Sequence, residues 1–144
     1  MNIEFKKILI TGVILASFVA CSKPADEGDS SDAVSSKGIG PISSVELAAV
    51  DNALAAKGET LFEEKCTACH HATDERMVGP GLHKVTERRA PEWIMNMIVN
   101  PTEMIQKDPI AKGLLQEYMT EMTNQNVNQD EARAILEYFR KNDA

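Results

Sequence analysis

Cys66-Thr67-Ala68-Cys69-His70 is the stretch of this 144-residue chain in which reactive side chains stand at a spacing that chemistry can use. Two cysteines three residues apart fall on the same side of one helical turn. Both sulfurs can then form thioethers with the two vinyl groups along one edge of a porphyrin. The histidine that follows directs its imidazole at the iron from below the ring. Cys-x-x-Cys-His is the attachment signature of c-type haem. Three other chemistries draw on similar residues. Zinc takes four ligands, usually in two separated pairs, and the remaining histidines, His71 and His83, supply no such second pair. A thioredoxin-type redox pair sits in a βαβ unit. A structural disulfide needs no histidine after it. The setting of the motif favours haem over all three.

That setting begins with an export signal. Lys6 and Lys7 precede an apolar run from Ile8 to Ala20, which is the pattern of a secretory peptide and is shorter than the roughly 20 residues of a bilayer span. Val19-Ala20-Cys21 resembles a bacterial lipobox, with Phe18 where that pattern has an aliphatic residue. The resemblance implies cleavage after residue 20, lipidation of Cys21 and a membrane anchor. Residues 22–44 hold seven serines, three glycines, two prolines and four acidic residues, a composition too poor in apolar side chains to offset the entropy of ordering. The expected organisation is therefore a signal over 1–20, a flexible linker over 21–44 beginning at the lipidated cysteine, and a domain over 45–144. Cleavage leaves 13 basic and 21 acidic residues, a net charge of −8. Nucleic acid is excluded as a partner, because phosphate binding needs a basic footprint. Such acidity keeps an exported protein soluble and can steer it toward a partner with a basic docking patch.

From Ser43 onward the hydrophobic spacing is helical and no stretch alternates as a strand does. Ser43 and Glu46 read as a capping box for a helix to about Glu64, with Leu47, Val50, Leu54, Leu61 and Phe62 as its apolar stripe. A second helix has Pro91 in its first turn and runs from Glu92 to Asn100, stopped by Pro101. A third covers about Asp108 to Tyr118. The last opens on another capping box, Asn128 with Glu131, and carries Ala132, Ile135, Leu136 and Phe139 on one face. Aromatic residues are only 5% of the chain, so a domain of this size has a thin core of its own and needs a cofactor or other staple.

Beyond the pentapeptide, residues 45–142 resemble the class I cytochrome c family. Gly58 and Phe62 precede Cys66 as in that family's N-terminal helix, and Ile135 and Tyr138 match the aliphatic and aromatic pair of its C-terminal helix. The resemblance implies an all-α fold, about four to five helices wrapped around one covalently bound haem, with the terminal helices crossing at Gly58. Gly79-Pro80-Gly81-Leu82 is similar to the loop in which a proline carbonyl orients the proximal histidine, with Leu82 packed on the ring. The family's distal ligand is a methionine late in the chain. Met122, in a polar turn before the last helix, matches that place, with Met119 as the alternative. Trp93 either packs at the haem periphery, bonds a propionate through its indole N–H, or simply fills core.

The resemblance implies a one-electron carrier and no enzyme: a tethered donor or shuttle to a periplasmic respiratory reductase or terminal oxidase, or one fed by a quinol-oxidising complex. Its haem iron is held by His70 and Met122, and its partners are met as a monomer in transient complexes. The alternative is a haem-based sensor or small-ligand binder with a labile distal ligand.

Overall fold

The structure, a computed structural model, describes residues 35–144. The expected signal over 1–20, Cys21 and the linker as far as residue 34 lie outside the described residues. Among those described there are six helices and no strand, against the four to five helices expected: α1 (Asn52–Lys65), α2 (Val85–Arg88), α3 (Pro91–Val99), α4 (Pro101–Lys107), α5 (Pro109–Tyr118) and α6 (Gln129–Asn142). None of them is long and apolar enough to cross a membrane.

The frame is a crossing of α1 and α6. Gly58 is buried there, and a Cβ on it would lie 1.9 Å from the carbonyl oxygen of Ala134 and 2.9 Å from the amide nitrogen of Ile135. A residue without a side chain is what lets the two backbones meet. Below the contact, the ring of Phe62 lies 5.4 Å from that of Tyr138 and 5.6 Å from that of Phe139, tilted and edge-on respectively. These are the offset geometries that aromatic quadrupoles favour.

Helix α1 begins later than Ser43 and Glu46 suggested. Its cap is Asp51, whose carboxylate accepts from the amides of Ala53 and Leu54 at 2.9 and 3.1 Å. The stretch before it stays extended because tertiary partners hold its backbone. Val45 N–H donates to Glu92, the carbonyl of Ala48 accepts from Arg140, and Asp51 N–H donates to Glu137. Leu47 is accordingly 44% exposed rather than part of a buried stripe.

Prolines open three successive helices, at positions 91, 101 and 109. Proline suits a first helical position because its missing N–H would have no partner there. Pro101 therefore starts α4 as well as ending α3, which adds a helix to those expected from the sequence. The capping box at Asn128 and Glu131 is present with both of its hydrogen bonds at 2.9 Å.

Glu137 on α6 is fully buried. Its carboxylate accepts from Arg133, from Arg140 at 2.8 Å and from the Asp51 amide at 2.9 Å. Burial pushes this carboxyl up, but hydrogen bonds from Arg133, Asp51 and Arg140 outweigh it and hold it below the ordinary carboxylate range. A depressed folded-state pKa gives stability that is present at neutral pH and lost as pH falls through the folded value. Wild-type melting temperature should therefore drop on acidification below about 4.5, the group's ordinary value. Glu137→Gln should lose about 2 kcal/mol at pH 7, the loss of charge-assisted hydrogen bonds from two partly buried arginines, and show a flatter acid limb. Parallel acid limbs in the two proteins would show that other carboxylates govern acid unfolding.

Candidate haem-binding site

Helix α1 ends at Lys65 with Cys66 as its C-cap, and the chain keeps turning: the amides of Cys69 and His70 both donate to the Cys66 carbonyl at 3.0 Å. This turn sets Cys66, half-buried, and Cys69, exposed, on the rim of a cleft, with His70 half-buried in its wall. The cysteines are not bonded to each other. Burial pushes the Cys66 thiol up to about 11, against the opposing pull of Lys65, the opposite of the acidified thiol that a redox-active pair uses. No group of three or more His, Cys, Asp or Glu able to hold a metal ion exists among the described residues, which removes the zinc reading there.

His70 is oriented by the following loop. Its Nδ1 lies 2.9 Å from the carbonyl oxygen of Pro80. A carbonyl can only accept, so Nδ1 carries the proton and Nε2 presents a bare lone pair. Burial lowers the pKa of this imidazole, with the Pro80 bond opposing. Gly79 gives the ring its place, since a Cβ there would stand 2.5 Å from His70 Cε1. The loop is stitched to the motif by Gly79 N–H to the Cys69 carbonyl and Leu82 N–H to the His71 carbonyl, both 2.9 Å.

The remaining walls are mostly apolar, with Arg88, Arg89, Thr123 and Gln125 among the polar groups on the lining. Leu82, Trp93, Ile94, Met97, Ile105 and Phe139 line the cleft. Trp93 borders the cleft, but its indole N–H donates to Asp108 at 3.1 Å and so is committed within the protein rather than offered to a propionate. The same Asp108 oxygen caps α5 through the amide of Ala111 at 2.9 Å. Asp108 is buried at 2% exposure, and the Asp-Pro pair that opens α5 was its sequence signal.

Met122 is half-buried and lines the cleft with His70. Met119, the alternative, takes a left-handed conformation (φ 54°) at the end of α5 and is 82% exposed. It does not line the cleft. The periodicity that would have placed it in the core stops one residue earlier, at Tyr118, whose ring lies 4.3 Å from the guanidinium of Arg76. The cleft holds about 1410 Å³ of non-protein space, open solvent at its mouth included. Two thiols on the rim, an imidazole nitrogen on one side, a thioether on the loop between α5 and α6, and apolar walls between them fit a covalently attached haem.

A sequence model of the cytochrome c family matches residues 55–143. The chain belongs to the cytochrome c family. Among solved structures it is similar to cytochrome c from Rhodothermus marinus, at 50% identity and a TM-score of 0.70, over 72% of this chain and 90% of that one. An engineered form of that protein matches equally. Another engineered form, bound to a carbene intermediate, matches at 48% identity and a TM-score of 0.67 with the same coverage. No curated protein matches. This cytochrome is a haem-based electron carrier with one covalently bound haem c, and Cys66 and Cys69 stand at the attachment spacing.

Proposed function

We propose that this cytochrome is an exported, membrane-tethered one-electron carrier whose haem iron is held by His70 Nε2 and Met122 Sδ, and that it catalyses no reaction of its own. The observation that carries the reading is the Nδ1–Pro80 bond, which leaves His70 Nε2 free in a cleft that Met122 also lines. When bound, the haem supplies an iron that gains and loses one electron, and filled axial positions favour outer-sphere transfer over substrate binding.

The chain's own residues do the rest. Pro80 fixes the tautomer and aim of His70, as a neighbouring acceptor does for a metal-bound imidazole. Gly79 lets the ring lie close, and Trp93, Ile94 and Met97 keep water from the interior. Cys69, at the exposed end of the motif, puts that edge of the cleft within reach of a docked partner. The partner is a periplasmic respiratory reductase, a terminal oxidase or a quinol-oxidising complex, met through a small transient interface. Lipidated Cys21, at the end of the export signal, supplies the membrane anchor.

A redox titration with oxidised and reduced spectra tests the ligand pair. Met122→Ala should abolish the sulfur-to-iron band at the red end of the visible spectrum. It should also lower the reduction potential by on the order of 0.2 V, within the ~0.8 V that axial ligation spans. Met119→Ala, at an exposed left-handed position, should leave both unchanged. The reverse outcome would move the ligand to Met119. A wild type without the band would favour the sensor reading, in which the distal position is open.

A further inference from the structure

Among the described residues, the large hydrophobic side chains left exposed are Leu47, Met77, Val78 and Met119. Leu47 lines another groove, with Val50 and Leu136. The other three stand on two segments that frame the mouth of the haem cleft. Cys69, Val78, Thr120 and Glu121 both line the cleft and are exposed, and so mark that mouth. Met77 adjoins Val78, and its amide donates to the Gly79 carbonyl at 3.1 Å. Met119 stands between Tyr118 and Thr120, which both line the cleft. The two segments touch. The Arg76 guanidinium lies 4.3 Å from the centre of the Tyr118 ring, and its Nη2 donates to the Glu117 carbonyl at 3.3 Å.

Met119 is costly where it is. It is 82% exposed and has φ 54°, in the left-handed region that side chains other than Gly, Asn and Asp disfavour. The fold gains neither burial nor backbone ease from a methionine there. A flexible, polarizable thioether chain does suit a surface that must adapt to a partner, and exposed apolar patches rimmed by polar groups mark interaction sites.

The rim here is acidic. Asp74, Glu75, Glu117 and Glu121 are exposed on the same two segments, and none of them is in a salt bridge among the described residues. The cation between them, Arg76, is laid on Tyr118. Lys65 and Arg88, which also line the cleft, donate to the carbonyls of Gln125 and of Gly81 and His83.

We propose that Met77, Val78 and Met119 are the patch through which this cytochrome meets its redox partner, and that the partner presents an apolar face ringed by lysine or arginine. The inference rests on the electron-carrier reading and deepens it by naming the partner's chemistry. One electron crosses: the ferrous iron here becomes ferric as the partner's centre is reduced by one, with no proton or further reactant consumed. A second copy of this chain is a poorer fit, because it would set the same carboxylates against one another.

The test oxidises the full, haem-loaded ferrous chain in non-ionic detergent by stopped flow, with two probes. Tris(phenanthroline)cobalt(III) is a cation with aromatic faces, and hexacyanoferrate(III) is an anion without them; each takes one electron. Met77→Ser with Met119→Ser removes two exposed side chains and keeps every charge, and Val78 stays because it also lines the cleft. The ratio of cobalt to hexacyanoferrate rates should fall about fivefold, equivalent to about 1 kcal/mol. Glu75→Gln with Glu117→Gln and Glu121→Gln should slow the cobalt reaction at low salt. It should also flatten the fall in rate between about 0.01 M and about 1 M salt, over which the Debye length shrinks from about 30 to about 3 Å. A ratio that the methionine variant leaves unchanged, with the wild-type spectrum and potential, overturns the patch and leaves the electron carrier standing. Concentration-dependent dimerisation that the same variant abolishes gives the patch to a second copy and overturns the proposed partner. A wild type with no reversible one-electron couple overturns the carrier reading and the proposal with it.

Discussion

Gly58→Val should leave little native cytochrome, and even Gly58→Ala should lower the melting temperature of the haem-loaded protein by more than 10 °C. In an exposed helix, Gly→Ala gains about 0.5–1 kcal/mol of helix propensity. Here that gain is overwhelmed. The atoms nearest the new Cβ, at 1.9 and 2.4 Å, are the oxygen and carbon of the Ala134 carbonyl, which belong to α6's own backbone and have no rotamer through which to escape. Relief requires α1 and α6 to separate by more than an ångström, which loosens Phe62 against Tyr138 and Phe139 and disturbs Ile135, fully buried beside the crossing. Overpacking a well-formed core costs about 1–3 kcal/mol and occasionally more, and this contact is with rigid main chain. At about 3 kcal/mol, and 4–8 °C per kcal/mol for a domain of this size, the shift is roughly 12–24 °C. Valine adds two methyl groups to the same collision, against a total stability of only about 5–15 kcal/mol. Thermal unfolding followed at the haem absorbance and by helical circular dichroism measures it. A Gly58→Ala protein melting within a few degrees of wild type would show that α6 can shift without loss.

Such features were legible because they are written locally. Cys66, Cys69 and His70 declare their chemistry by adjacency, and Asn128 with Glu131 caps α6 through groups three residues apart. Errors arose where distant groups decided the outcome. Ser43 and Glu46 have the letters of a capping box, yet Glu92, Glu137 and Arg140 take the backbone groups between Val45 and Asp51 and keep that stretch extended. Residues 37–44 have a linker's composition, but they are ordered through their main chain by one buried amide, Asn96, which no nearby pattern reveals. Pro101 ends one helix and is also the first residue of the next, because a proline lacks the N–H that an interior position needs but a first position does not. Met119 continues the spacing of Leu115 and Tyr118, but the helix ends at Tyr118 and Met119 turns left-handed into solvent.

Replacing both Cys66 and Cys69 by alanine should yield a polypeptide with no haem mass after denaturation and most of its helical signal gone. The reason lies in what the cleft divides. Its walls come from the turn after α1, from the 78–82 loop, from α3, α4 and α5, and from Phe139 on α6. Besides the α1–α6 crossing, α3 packs on α6 and α4 on α5, and Asp108 bonds Trp93 between α5 and α3. Apolar side chains facing a cleft of this size have a partner only when a large flat group lies between them. Small domains that lack a sufficient interior depend on such a staple. The thioethers also keep the group from dissociating, which matters for a chain that has left the compartment where haem is made. Intact-mass measurement, acid extraction of haem and circular dichroism, on protein matured in a host able to attach the group, separate the possible failures. Haem that extracts freely from a folded double variant would show that the His70 and Met122 sides suffice to hold it and that the thioethers serve retention alone. A colourless double variant with the helicity and melting temperature of wild type would show that the protein closes its core without the cofactor.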